Sequence, residues 1–149
     1  MPAPLLSLRA RALKALARRE HTRQELRAKL RPFAEDPDEL EPLLDDLEKR
    51  GWLSEARFVE QLTSVRRRRF GAARIIHELR EKGVSDASLA AAQSRLKDSE
   101  VEAARTVWKK KFGILPTTLA ERAKQSRFLA SRGFSAEVVH AVLKKSCED

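Results

Sequence analysis

A repeat of about fifty residues constrains the fold of this chain more than any other feature of its sequence. Related residues recur fifty positions apart in five pairs: Leu79 and Leu129, Lys82 and Arg132, Gly83 and Gly133, Val84 and Phe134, Ser85 and Ser135. Leu30 lies forty-nine positions before Leu79. Such a period is typical of a tandem array, in which each unit buries part of its surface against the next. The 149 residues are long enough for three units.

Apolar residues recur at helical spacing within these units. Leu40, Leu43, Leu44 and Leu47 follow the pattern i, i+3, i+4, i+7 of a helix with one apolar face. The same spacing predicts two more inward-facing stripes, formed by Phe58, Leu62 and Val65 and by Leu6, Leu13, Leu16 and Ala17. No segment alternates polar and apolar residues in the way that a half-exposed strand does. The chain is therefore predicted to be all-α.

Hydroxyl residues stand where several of these helices should begin. Thr22–Glu25 and Ser99–Glu102 have the spacing of a capping box, and Ser54, Ser85, Thr118 and Ser135 are further candidate N-caps. In the middle of the chain we expect helices over about 54–69, 72–82 and 86–97. Altogether the sequence predicts nine helices in three tandem three-helix repeats, residues 1–51, 52–97 and 98–149, that form an elongated, curved helical array.

The charge of the chain indicates an anionic partner. The formal net charge is +9, with a sequence pI near 10.2, which suggests nucleic acid or a protein filament assembled on it. Residues 5–31 carry nine basic and two acidic residues, whereas residues 32–50 carry two basic and eight acidic ones. Aromatic residues make up only 5% of the chain, and tyrosine is absent. Stacking of single-stranded bases on exposed rings is therefore not expected as the main binding mode.

Three short basic runs are the candidate contacts with such a partner. Arg66–Arg69 and Lys109–Lys111 fall near the ends of predicted helices, and Arg18 and Arg19 form a third instance. Cations at a helix C-terminus also stabilise the helix dipole, so each residue has an alternative, purely structural role. Consecutive helical residues are rotated by about 100°, so at most two or three of a run face one ligand. The candidate contacts are Arg18, Arg19, Arg66, Arg67, Arg68, Arg74, Lys109 and Lys110.

Nothing in the sequence predicts catalysis or a cofactor. The three histidines, His21, His77 and His140, lack the close pairing of a zinc site, and Cys147 is the only cysteine. A solitary cysteine forms no disulfide within one chain, which favours a reducing compartment. No apolar run approaches the length of a membrane span. Trp52 and Trp108 are expected to pack between units rather than to bind a ligand.

Two motifs resemble the RecX family of small regulators of the RecA recombinase. The first is Ala15–Leu30, ALARREHTRQELRAKL, and the second joins EARFVE, RRFGAARI and ELREKG between Glu55 and Gly83. This chain departs from the family pattern at Arg69, where glycine is usual, at Phe70, which replaces tyrosine, and at Ala72, which replaces proline. The spacing is retained at all three positions.

The resemblance implies both the fold and a function. Members of the family consist of tandem three-helix repeats, and the resemblance implies a non-enzymatic, cytoplasmic and monomeric regulator without cofactors. Such a regulator binds the groove of the RecA–DNA filament, with DNA bound weakly or through the filament, and mainly inhibits the ATPase and strand exchange. It would act in DNA repair, homologous recombination and the SOS response.

A stand-alone DNA-binding module without a recombinase partner is the alternative. Three-helix units with short turns also place recognition helices in the major groove. Base readout generally uses Asn, Gln and Arg on one exposed helix face, but the chain has no asparagine. Its glutamines are scattered along the chain. The sequence thus favours contacts to phosphates or to acidic protein surface over reading of bases.

Overall fold

The computed structural model of the chain describes residues 6–144, which form nine α-helices and two short 3₁₀ turns. The helices are α1 Leu8–Arg18, α2 Arg23–Leu30, α3 Leu40–Lys49, α4 Glu55–Arg66, α5 Ala72–Glu81, α6 Asp86–Asp98, α7 Glu100–Lys111, α8 Leu119–Ser131 and α9 Ala136–Leu143. The 3₁₀ turns, Arg31–Phe33 and Pro37–Glu39, connect α2 to α3. These described residues contain no strand, which confirms the all-α prediction; Cys147 lies outside them.

Three separate apolar cores divide the helices into unit 1 (α1–α3), unit 2 (α4–α6) and unit 3 (α7–α9). The core of unit 1 runs from Ala12 to Leu53, that of unit 2 from Phe58 to Leu96, and that of unit 3 from Ala104 to Leu143. A leucine near the end of each middle helix is completely buried: Leu30, Leu79 and Leu129 are 1%, 0% and 0% exposed. The tandem three-helix repeat is thereby confirmed.

Most predicted helix starts are confirmed. Thr22 Oγ1 accepts from the backbone N–H of Glu25 at 3.0 Å, while the Glu25 carboxylate accepts from the N–H of Thr22 at 3.1 Å, so both halves of the capping box form. The hydroxyls of Ser54, Ser85, Thr118 and Ser135 cap α4, α6, α8 and α9 by accepting from the backbone N–H three residues later.

The second predicted capping box, at Ser99, is wrong. Ser99 ends α6 and immediately precedes α7, and its φ of −117° and ψ of 14° are not the extended geometry of an N-cap. Its hydroxyl instead accepts a hydrogen bond of 3.1 Å from the guanidinium of Arg67. The two helices are joined too tightly to leave a capping residue between them.

Two predicted apolar stripes are partly wrong in register. Val65, predicted to face the core together with Phe58 and Leu62, is 56% exposed, whereas Phe58 is 3% exposed. In α1 the core is formed by Ala12 and Ala15, and Leu13 is 36% exposed. Alanine at the contact positions lets α1 approach the rest of unit 1 closely, and the larger leucines then lie at the edge of the interface.

Trp108 packs within one unit rather than between two, and Trp52 is exposed. Trp108 lies in the core of unit 3 and donates from Nε1 to Gln125 Oε1 at 2.7 Å within that unit. Trp52 is 43% exposed, with the guanidinium of Arg50 at 5.3 Å from its ring centroid. A buried indole N–H needs an acceptor, and the side chain of Gln125 supplies one from inside the same core.

The opposite charges of unit 1 pair with each other across its helices. On α2, Arg27 donates twice to the carboxylate of Glu41, at 2.7 and 2.9 Å, and Arg23 pairs with Glu41, Asp45 and Glu48. The hydrogen bond from Arg27 is the main reason why the pKa of Glu41 falls to about 2. The acidic residues of α3 are therefore partly neutralised by arginines of unit 1.

Candidate nucleic-acid interface

A basic cleft lies between unit 2 and unit 3. We use the name basic cleft for the cations around an opening of about 350 Å³ that also contacts Val107 and Phe128. These cations are Arg68, Arg69, Lys110, Lys111 and Arg132. They come from three places in the chain: the turn after α4, the last turn of α7 and the end of α8.

The backbone fixes the position of the first two arginines. Helix α4 ends at Arg66, three residues earlier than predicted, and the N–H of Arg69 donates back to the carbonyl of Arg66 at 3.0 Å. The N–H of Gly71 then donates to the carbonyl of Arg132 at 2.7 Å. The turn that carries Arg68 and Arg69 is thus tied directly to the end of α8, which brings Arg132 beside it.

Two aromatic rings line the same region. The guanidinium of Arg132 lies 5.5 Å from the ring centroid of Phe70 and 4.9 Å from that of Phe128. The ammonium of Lys111 is 5.6 Å from the Phe128 ring. Cation–π contacts of this kind orient cationic side chains without neutralising them, so their charge stays available to a ligand.

No carboxylate among residues 6–144 forms an ion pair with any cation of the basic cleft. Five positive charges around one opening produce a strong local positive potential. Guanidinium and ammonium groups bind phosphate oxygens through charge-assisted hydrogen bonds, and guanidinium does so with two parallel bonds. The chemistry of the cleft suits a phosphodiester backbone or a densely acidic protein surface.

The first two arginines of the run have structural partners instead. Arg66 donates from Nε and Nη2 to the carboxylate of Glu78 on α5, at 2.8 and 3.0 Å. This hydrogen bond is the main cause of the lowered pKa of Glu78. Arg67 reaches across to Glu100 at the start of α7 and also donates to the carbonyl of Leu96 at 2.6 Å.

The other predicted contact residues are distributed over several places. Arg74 donates to the carbonyl of Ser131 at 3.1 Å and lies over the ring of Phe70 at 4.4 Å. Lys109 lies on a separate surface of α6 and α7, beside Lys97 and Arg105. Lys110 and Arg68 are the two predicted residues that the structure brings together in the basic cleft.

Unit 1 carries a second, smaller basic surface. Arg18 lies near Lys14 and Lys29 on the face formed by α1 and the end of α2. Arg19 borders the same surface but pairs with Glu25, donating to its two carboxylate oxygens at 3.2 and 3.0 Å. Of the two arginines predicted here, Arg18 is the one that remains available to a ligand.

Three members of the basic cleft are absent from the residues predicted as contacts. Arg69 and Lys111 belong to the two basic runs, and only the placement of the turn and of the last turn of α7 shows that they face Arg68 and Lys110. Arg132 stands alone in the sequence, but it precedes the repeat glycine Gly133. That position marks the junction between two units and could have identified it.

Among residues 6–144, no group of three or more His, Cys, Asp or Glu side chains has the arrangement of a metal site. In the same part of the chain, no helix has both the length and the apolar character needed to cross a bilayer.

Comparisons with known proteins agree with the three-unit architecture. The family models for the first, second and third three-helix domains of RecX match residues 9–52, 54–92 and 98–143. The chain is 51% identical over 141 residues to the regulatory protein RecX of Leptothrix cholodnii, which covers 95% of this chain and 90% of that protein. It is 47% identical to the regulatory protein RecX of Ralstonia nicotianae over 97% of this chain and 91% of that protein.

Solved structures share the fold at low sequence identity. The crystal structure of RecX from Lactobacillus salivarius superposes with a TM-score of 0.78, at 20% identity and over 92% of each chain. A second crystal structure of a regulatory protein RecX gives a TM-score of 0.75 at 17% identity, over 97% of this chain and 83% of that one. Given the matches to all three domains and the identity to curated relatives, the chain belongs to the RecX family of regulatory proteins.

Proposed function

We propose that the chain is a non-enzymatic regulator, monomeric and cytoplasmic, that binds in the groove of the RecA–DNA filament and mainly inhibits the ATPase and strand exchange of the recombinase. Membership of the RecX family supports the regulatory role. The basic cleft carries the proposal, because five cations without carboxylate partners among the described residues lie together at a junction of the array. A RecA filament assembled on DNA offers negatively charged phosphates to which such a cleft can bind.

The mechanism follows from the tandem arrangement. The basic cleft and the basic surface of unit 1 lie in different units, so one molecule contacts the filament at more than one point. Linked weak contacts raise the overall affinity through effective concentration. A protein bound to neighbouring recombinase protomers in this way would hinder the movements that accompany ATP turnover and strand exchange.

A comparison of binding with and without the recombinase tests this function. We expect the chain to bind RecA–DNA filaments more tightly than bare DNA and to lower the DNA-dependent ATPase of RecA. The stand-alone DNA-binding module remains the second candidate, since the basic cleft suits bare DNA as well. Equal affinity for bare DNA and filament, together with an unchanged ATPase, would support the module and exclude the regulator.

Alanine variants within the run of arginines test the cleft itself. Each phosphate contact contributes about 0.7–0.9 to the slope of log K against log salt. Replacing Arg68 and Arg69 by alanine should therefore reduce this slope by about 1.5 and weaken binding of filaments or DNA. The measurement is a salt titration of binding by fluorescence anisotropy, with labelled single-stranded DNA alone and coated with RecA.

The double variant Arg57→Ala/Arg66→Ala is the matched control. It removes the same number of charges, but from arginines that pair with Glu20 and Glu78. Its salt slope should equal that of the wild type. If both double variants reduce the slope equally, net charge rather than the basic cleft determines binding.

A further inference from the structure

The two junctions between units use the same contact in the same register. At the first junction, Gln24 Nε2 on α2 donates to the backbone carbonyl of Glu81 at the end of α5, at 3.1 Å. At the second, Arg74 Nη1 on α5 donates to the backbone carbonyl of Ser131 at the end of α8, also at 3.1 Å. Donor and acceptor are 57 residues apart in both cases. The donor and the acceptor at the second junction thus each lie fifty residues, one repeat, after their counterparts at the first.

A glycine allows the close approach at both junctions. Gly83 and Gly133 have φ values of +88° and +96°, in the left-handed region that favours glycine. A Cβ on Gly83 would lie 2.9 Å from Cβ of Gln24, and one on Gly133 would lie 2.7 Å from Cβ of Arg74. Helices α2 and α5 therefore each receive the glycine-closed C-terminal end of the next middle helix and donate a hydrogen bond to one of its last carbonyls.

The same position recurs once more, on the outer face of unit 3. Lys124 lies on α8 fifty residues after Arg74, and it is exposed. Like Gln24 and Arg74 it is a side-chain N–H donor, and its charge suits the partial negative charge of a helix C-terminus. Within residues 6–144 no further unit follows α9, so no helix end from a next repeat occupies the face around Lys124.

Exposed apolar side chains lie at the start of α8 and in the segment before it. Leu119, the first residue of α8, is 88% exposed, and Ile114, in the segment leading into α8, is 76% exposed. They lie five and ten residues before Lys124 in the sequence and add exposed apolar area at the start of α8.

We propose that the outer face of α8 around Lys124 binds the C-terminal end of a recombinase helix that is closed by glycine. The bound helix would take the position that α5 holds on α2 and that α8 holds on α5. The inference rests on the proposed function, because RecA is the partner, and it specifies which structural element of that partner unit 3 recognises.

A second copy of the chain does not fit this face in the same way. The positions fifty and forty-nine residues before Gly83 are Phe33, the last residue of the 3₁₀ turn Arg31–Phe33, and Ala34, its C-cap; neither is glycine. Phe33 has a Cβ and lies under the guanidinium of Arg11, 3.6 Å from its ring centroid. The end of α2 therefore lacks the glycine turn that permits close approach, and head-to-tail association in the register of the two junctions is blocked.

Two uncharged substitutions of similar length to each other at Lys124 test the hydrogen bond. Lys124→Met and Lys124→Gln remove the same charge, but only glutamine keeps an N–H donor, as Gln24 does at the first junction. We expect Lys124→Met to weaken binding to RecA–DNA filaments about three- to tenfold, the loss of one hydrogen bond, whereas Lys124→Gln stays within about twofold of wild type. Affinity is measured by co-sedimentation with filaments at fixed salt, and circular dichroism confirms that both variants are folded.

The outcomes separate this inference from the proposed function. If the wild type does not bind filaments, the proposed function fails. If the wild type binds but both Lys124 variants bind equally to each other, the site on α8 is excluded and the regulatory function stands.

Photocrosslinking identifies the bound element directly. With p-benzoylphenylalanine in place of the exposed Ala120, one turn before Lys124 on the same side of α8, irradiation on filaments should join the chain to a recombinase peptide at the end of a helix followed by glycine, as mapped by mass spectrometry. Crosslinks only to DNA, to a second copy of the chain or to the middle of recombinase helices would overturn the assignment.

Discussion

The junction between units 1 and 2 and the junction between units 2 and 3 share a hydrogen bond and a glycine but differ in the ion pairs around them. At the second junction, the carboxylate of Glu100 accepts a hydrogen bond from the guanidinium of Arg67. Its two oxygens also accept from the backbone N–H of Ala72, at 3.1 and 3.0 Å. The side chains of Arg67 and Glu100 are only 16% and 11% exposed. One carboxylate thus joins the end of α4, the start of α5 and the start of α7.

The first junction is held by ion pairs closer to solvent. Arg57 pairs with Glu20 at 2.9 Å, with the two side chains 47% and 23% exposed, and Lys82 pairs with Glu25 at 3.3 Å. Exposed ion pairs contribute about 0–1 kcal/mol each, whereas an uncompensated buried charge costs several times more. The second junction should therefore be the stiffer of the two, and it is the one that holds the basic cleft in place.

Removing Glu100 should produce the largest effect on stability. Glu100→Ala leaves the guanidinium of Arg67 largely buried without its carboxylate and leaves the N–H of Ala72 without an acceptor. We expect a loss of about 3 kcal/mol in the free energy of unfolding. Denaturant unfolding followed by circular dichroism measures it.

Glu20→Ala provides the matched change at the first junction. It removes one carboxylate from an exposed pair with Arg57 and should cost less than about 1 kcal/mol. If the two substitutions destabilise the chain equally, the junctions do not differ in the way that the burial of their ion pairs indicates.

Replacing the junction glycines by alanine should also destabilise the second junction more than the first, but by a smaller margin. Alanine at Gly133 would meet the backbone nitrogen of Arg74 at 2.9 Å, whereas alanine at Gly83 would meet only side-chain atoms of Gln24 among its nearest neighbours. Since a side chain moves more easily than backbone, we expect Gly133→Ala to cost about 2 kcal/mol and Gly83→Ala less.

Gly51 shows how much of the cost of a glycine-to-alanine substitution comes from backbone strain alone, without a steric clash. Its φ is +77°, but a Cβ there would have no atom within 4 Å. Gly51→Ala should therefore cost only the conformational strain of about 1 kcal/mol. Thermal unfolding of the three variants should rank them Gly133, Gly83, Gly51 from most to least destabilised, and a reversed order would show that the junctions adapt freely.

The parts of the fold that depend on neighbouring residues were predictable from the sequence. The Thr22 capping box needs only a carboxylate three residues later, and the recurring leucines reveal the repeat without knowledge of any contact. The exposure of Val65 was not predictable, because the helical spacing shows which residues share a face but not where that face ends. Ser99 failed as a cap because its hydroxyl binds Arg67, 32 residues away in the sequence.

The candidate site shows the same limit more sharply. Within the run Arg66–Arg69 the four side chains are chemically identical, and the sequence alone does not separate them. Glu78 and Glu100, 12 and 33 residues away, engage the first two and leave Arg68 and Arg69 for the basic cleft. The division of one run into structural and ligand-binding residues is set by long-range packing, which no local pattern encodes.

Lowering the pH should weaken the first junction through protonation of Glu25. This is the smallest of the expected effects on stability. Burial raises the pKa of this carboxyl, but the hydrogen bonds from Arg19, the N–H of Thr22 and Lys82 outweigh it, so the pKa is lowered from 4.5. A carboxyl with a lowered pKa stabilises the folded state above pH 4.5, and this contribution is lost as the pH falls through the pKa of the folded state.

Between pH 6 and pH 3 the wild type should therefore lose more stability than Glu25→Gln, by less than about 1 kcal/mol. Hydrogen exchange at the two pH values, corrected for intrinsic rates, should place the loss in α2 and the end of α5. If Glu25→Gln follows the wild type at both pH values, the contacts of Glu25 with Arg19 and Lys82 do not stabilise the first junction.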